Sequence, residues 1–147
     1  MLALAFAAAG CGGSGTSSSE DEFEMADAQA FADGFVQRLV VGGKWSAISD
    51  DVPPLVAREV RRFQRDLVDD NVRQVLGKGV LRMDCEPNVT LGTGDECFLY
   101  RLRGDQIEPV SGERHIVRGQ LRIWFRPDEG SWELSNYSYD ATVDGKR

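Results

Sequence analysis

The sequence predicts an α+β fold, with N-terminal helices packed on a twisted four-stranded antiparallel sheet. Two observations predict it. Apolar residues recur at three- and four-residue spacing as far as Leu67 and at two-residue spacing from Gly79 onward. The last two period-two runs also share one strongly apolar face, and the amphipathic helices are the available cover for it.

The first helix is predicted from its charges and its stripe. Glu20, Asp21, Glu22, Glu24 and Asp27 put negative charge at the electropositive N-terminus, and Ala28, Phe31, Phe35 and Leu39 recur with Ala32, Val36 and Val40 on one side. Gly42-Gly43 ends it. Trp45, Ile48 and Val52 suggest a short second helix or turn, and Pro53-Pro54 suits the opening of a third helix with Val56, Val60, Phe63 and Leu67 as its buried stripe. Its other face carries Arg58, Arg61, Arg62 and Arg65, which could recruit an acidic polymer or protein; a solvated face blunted by Glu59, Asp66, Asp69 and Asp70 is the simpler expectation.

Strands are expected at residues 79–85, 96–103, 114–126 and 131–141. Arg126-Pro-Asp-Glu-Gly-Ser131 is turn chemistry, so Phe125 is expected opposite Trp132 and Ile123 opposite Leu134. Val117, Gly119, Leu121, Ile123, Phe125, Trp132 and Leu134 then form the covered face. Ile116, Arg118, Gln120, Arg122, Trp124, Glu133, Ser135, Tyr137 and Tyr139 form the other.

The segment Ala8-Ala9-Gly10-Cys11 resembles the lipobox of a bacterial lipoprotein. The resemblance implies cleavage before Cys11 and a thioether-linked diacylglyceryl group, with an N-acyl chain of the palmitate type completing a multiple-chain anchor. It covers the first eleven residues and departs from the family twice. Ala8 stands where Leu is usual, and no Lys or Arg precedes the apolar run, an absence that a start placed too far downstream would explain. The run is also far shorter than the ~20 residues of a spanning helix. The expected organisation is a signal peptide at 1–10, a lipidated Cys and Gly-Ser-rich tether at 11–22, and one domain at 23–147, displayed outside the cytoplasm on the cell membrane.

Composition and cysteine use fit that address. With 41% hydrophobic and 28% charged residues the chain is ordinary for a globular protein. A net charge of −7 excludes nucleic acid as an expected partner and disfavours docking on anionic lipid. Once Cys11 is lipidated, Cys85 and Cys97 are left as a pair, and a strand ending near one beside a strand starting near the other would let them bridge a hairpin mouth. A structural disulfide there would contribute roughly 3 kcal/mol. A redox pair or half a metal site fits less well, because no Cys-x-x-Cys occurs and His115 is the one histidine.

The order helix, short helix, helix, then four antiparallel strands, closing on the pattern Gly-Ser-Trp-Glu-Leu-Ser-Asn-Tyr at 130–137, resembles the NTF2-like, cystatin-like α+β cone. The resemblance spans roughly residues 25–141 and rests on order and pattern. Many members place a short strand pair between the second and third helices, for which residues 50–54 leave almost no room. The resemblance implies a pocket between sheet and helices, used by some members for isomerase, hydratase or cyclase chemistry and by others for ligand or protein contact.

No catalytic position transfers. Asp84, Tyr100 and Tyr137 are weak pocket candidates on strands, and His115 lacks a recognisable carboxylate partner or nucleophile. A Gly-rich phosphate loop, a G-x-S-x-G elbow and metal-ligand spacing are missing, so no cofactor and no metal is expected. The tripeptides Asn88-Val89-Thr90 and Asn136-Tyr137-Ser138 match the glycosylation sequon by chance. The expected function is a lipid-anchored, non-enzymatic module that binds a small apolar ligand or an envelope protein; the alternative is an exported enzyme or carrier acting on a small apolar molecule. A cone filled by Trp45, Phe63 and Leu121 would sink the enzyme, whereas a cavity with a carboxylate or tyrosine inside it would raise it. A homodimer could form through the open sheet face, on Trp124, Tyr137, Tyr139, Arg118 and Arg122.

Overall fold

The computed structural model describes residues 17–77, 80–81 and 95–144. Helix α1 spans Ser17–Gln37, starting ahead of the boundary expected at residue 23, and widens into a π-helical turn at Arg38–Gly42. Gly43, at φ +57°, closes it in the left-handed conformation a helix terminus favours. The expected second helix is two single 3₁₀ turns, Trp45–Ala47 and Ser49–Asp51. Arg38 ties them to the end of α1, donating to the Ala47 carbonyl at 2.7 Å and to the Asp51 carboxylate at 2.9 Å. Helix α2 runs Ala57–Asp69, starting three residues after Pro54, which lies in the preceding turn.

The strands are β1 Val72–Val75, β2 Val80–Leu81, β3 Glu96–Ile107, β4 Arg114–Asp128 and β5 Ser131–Val143. All pairings are antiparallel. β1 and β2 pair with successive stretches of β3, at Gly104 to Leu102 and at Leu99 to Phe98, so together they fill one edge position. The sheet thus has the four positions expected. The β1 segment was not expected, because Val-Arg-Gln-Val carries no clean alternation; it is held by backbone pairing to β3.

The core lies between one sheet face and the helices. Ala28, Ala32, Phe35 and Val36 of α1, Val60, Phe63 and Leu67 of α2, and Phe98, Leu102, Val117, Leu121, Ile123, Phe125 and Leu134 of the sheet are all buried. Phe31 and Phe35 each meet Phe125 edge to face at 5.2 Å between ring centroids, a contact worth about 0.5–1.5 kcal/mol beyond area burial.

The β4–β5 register departs from expectation. Phe125 faces Leu134, Ile123 faces Tyr137 and Pro127 faces Trp132. The strands run on to Asp128 and Ser131, and the turn is the two-residue Glu129-Gly130, at φ +40° and +82°, as a primed hairpin turn requires. Trp124 then pairs with Asn136 while Phe125 pairs with Leu134, so Ser135 is the extra residue of a β-bulge. Its hydroxyl donates to Asp95 at 2.7 Å.

The bulge reverses the facing of the rest of β5. Tyr137 and Tyr139, expected on the open face, lie opposite Ile123 and Leu121 on the core side and pack against Phe63. The dimer surface expected on the open face therefore loses both tyrosines, and it loses Trp124 as well, which is buried beside Cys97; of the five residues Arg118 and Arg122 stay exposed.

Candidate functional site

A cleft of about 510 Å³ opens between α1, the loop after β1, and β3. Helical spacing brings Asp33, Gly34 and Gln37 to one side of it, and Val75, Leu76 and Gly77 form the opposite wall. Tyr100 projects from the core face of β3 into its floor. The phenol is 1% exposed and donates to Asp33 Oδ1 at 2.8 Å. Burial first, then the bond to Asp33 and its negative charge, push the Tyr100 pKa far above the ordinary tyrosine value. The phenol is therefore a fixed donor, and the Asp33 carboxylate is a positioned acceptor. Such a pair can orient a polar group of a ligand whose remainder lies on Val75 and Leu76.

Gly34 leaves the helix wall open. A Cβ added there would meet nothing within 4 Å, so the residue contributes space without being forced by a clash.

The other candidates are placed elsewhere. Tyr137 lies between α2 and β5, stacked on Phe63 at 4.7 Å, with its hydroxyl 3.5 Å from the Glu59 carbonyl. Burial and the charges of Glu59 and Asp66 raise its pKa. Tyr137 and Tyr100 thus do not share a site. Cys97 is buried beside Trp124. Cys11, Asp84 and Cys85 lie outside the described residues.

His115 does have carboxylate neighbours, contrary to expectation. Glu108 lies 3.9 Å from its Nε2, and with Glu113 the three offer donor atoms within 4.8 Å of one another at the β3–β4 turn. They could hold a cation on an exposed hairpin tip. Glu108 is held at this tip by the bond from its backbone N–H to the Glu113 carbonyl and by the Ser111 hydroxyl, which donates to its carboxylate at 2.8 Å.

Asp33 and Gln37 escaped the sequence reading. Their one signal is a polar pair four residues apart on α1, flanking the apolar stripe around Phe35. Among the described residues no helix is long and apolar enough to cross a membrane.

No protein-family model matches the chain. No curated protein matches it either. Among solved structures it is similar to a designed NTF2-like protein whose name begins Rd1NTF2_05, with a TM-score of 0.40 and 12% identity over 83% of this chain and 99% of that one.

Proposed function

We propose that this chain is a lipid-anchored lipoprotein of the cell envelope whose NTF2-like domain is a non-enzymatic binding module, with the cleft at Asp33 and Tyr100 as its ligand site. The observation that carries the binding site is the Tyr100–Asp33 hydrogen bond in a cleft whose remaining lining, Gln37 apart, is apolar side chain and glycine. The lining supplies orientation and apolar surface, and among the described residues it contains no Ser, Cys or His to act as nucleophile or base. The order of helix, turn, helix and sheet supports the NTF2-like reading.

The anchor rests on Ala8-Ala9-Gly10-Cys11 and the Gly-Ser-rich sequence that follows. A Cys85–Cys97 disulfide belongs to the same proposal. It is supported by the pair of cysteines left once Cys11 is set aside and by the burial of Cys97 near the start of β3. The alternative is an exported enzyme or carrier acting on a small apolar molecule, favoured only by the presence of a carboxylate and a phenol inside the cleft.

Native mass spectrometry of the full chain exposed to extract of the source cells tests the site. A small-molecule adduct on the parent protein that disappears in Gly34→Leu, where a side chain fills the cleft while helix propensity rises, supports the proposal. An adduct retained in Gly34→Leu would place binding elsewhere and overturn it. A molecule returned chemically altered would favour the alternative.

A further inference from the structure

A second cavity, of about 710 Å³, lies on the far side of α2, against Gly43, Trp45 and Pro54. Arg58, Arg61 and Arg65 come to its rim because positions three, four and seven apart share one side of a helix. Among the described residues none of the three is in an ion pair. Arg61 instead lies over the Trp45 ring, its guanidinium carbon 4.9 Å from the centroid. The acidic residues of α2 flank a neighbouring groove, where Glu59, Asp66 and Asp69 collect around Arg62, with Arg58 and Arg65 bordering both. Among the described residues, three arginines outside any ion pair on one cavity stand out in a chain of net charge −7.

Gln64 supplies an independent observation. It lines the same cavity, yet its side chain is buried, at 4% exposure, and its Nε2 has no hydrogen-bond partner among the described residues. A buried amide without a partner is costly, and apolar residues would fill that position of the stripe more cheaply. Its Nε2 is closed off from solvent, so an acceptor entering the cavity would satisfy it once the amide turns towards the opening.

We propose that this cavity is a phosphate-binding site. Guanidinium forks match phosphate oxygens in pairs, three of them suit a dianion better than a singly charged carboxylate, and the Gln64 amide adds a neutral donor behind them. Trp45 offers a wall for whatever organic group the phosphate carries. The phosphate could be free, carried on a small molecule, or part of a lipid headgroup near a membrane-anchored domain. The site is separate from the Asp33–Tyr100 cleft and stands or falls independently of it.

Titration calorimetry on the full chain with inorganic phosphate, at ionic strength held constant with chloride, is the test, paired with vesicles of phosphatidylglycerol and of phosphatidylcholine. Saturable phosphate binding that falls at least about tenfold in Arg58→Gln/Arg65→Gln supports the site. Gln64→Leu should weaken it too without lowering the melting temperature, a separation that a purely structural role for Gln64 would not produce. Trp45 fluorescence should change on binding, and the signal should vanish in Trp45→Phe. Binding to phosphatidylglycerol vesicles alone, lost in the same arginine variant, assigns the phosphate to a lipid headgroup. Heat or fluorescence changes that chloride reproduces are charge screening, and that result, or undiminished affinity in the arginine variant, overturns the proposal, as does silence in both arms.

Discussion

Tyr100, Tyr137 and Tyr139 are the three tyrosines of the chain, and the fold holds each phenol back from ionising. Burial is the first cause in every case; Asp33 adds to it for Tyr100, Glu59 and Asp66 for Tyr137, and Asp70 for Tyr139, which is pushed up to about 12. Below pH 10 folded and unfolded states both keep these protons, so the stability they confer is fully present there. Above it the unfolded chain ionises first, and stability is lost as pH rises towards the folded values. Phenolate absorbance of the native protein should therefore show no transition at the ordinary tyrosine midpoint, and denaturant midpoints should fall as pH is raised from about 10 to 12. One tyrosine titrating normally in the native state would contradict the inward placement of Tyr137 and Tyr139. Alternation along β5 assigns both to the open face, so the sequence could name Tyr137 only as a weak pocket candidate, and the bulge at Ser135 decides the inward placement of both.

At the scale of elements, two glycines of the sheet make different room. A Cβ at Gly104 would come 2.8 Å from the Asp70 carbonyl and 3.0 Å from the Asn71 carbonyl, where the α2–β1 connection crosses β3. At Gly119 it would come 2.5 Å from the Tyr139 ring. The Gly104 clash is with backbone that is itself clamped, since Asn71 donates to the Asp105 carbonyl at 2.8 Å and Gln106 donates to Asp70 at 3.0 Å. The Gly119 clash is with a side chain that can swing. Urea unfolding should thus show Gly104→Ala losing more stability than Gly119→Ala, which should cost about 1–3 kcal/mol. The β4–β5 turn makes the opposite kind of prediction. Glu129 sits at φ +40°, a region that Asn tolerates better, so Glu129→Asn should stabilise the hairpin by a few tenths of a kcal/mol or more, read as a higher urea midpoint. The turn's composition was legible, while its width was not. Pro127 suggested a longer loop, yet strand pairing continues past it to Asp128 and Ser131.

At the scale of the whole molecule, the proposed anchor makes the clearest prediction. Cys11→Ser should move the protein from the membrane fraction to the soluble one, and unchanged fractionation would remove the lipoprotein reading. Helix positions, the four-position sheet and most of the core were legible in the sequence, because periods of 3.6 and two follow directly from backbone geometry and from which side of an element must leave water. The candidate cleft was only half legible. Tyr100 could be named as a strand residue able to point inward, but Asp33 lies 67 positions away on α1 and meets it only when helix and sheet pack. The same holds for Gln64, which the sequence presents as one more polar residue of an arginine-rich helix and the fold buries beside three arginines that form no ion pair among the described residues. Local spacing along the chain determined which elements form and which face each hides. Tertiary packing decided which polar groups meet, because a bulge or a helix's seating on the sheet moves a side chain across a face without leaving a periodic signal in the sequence.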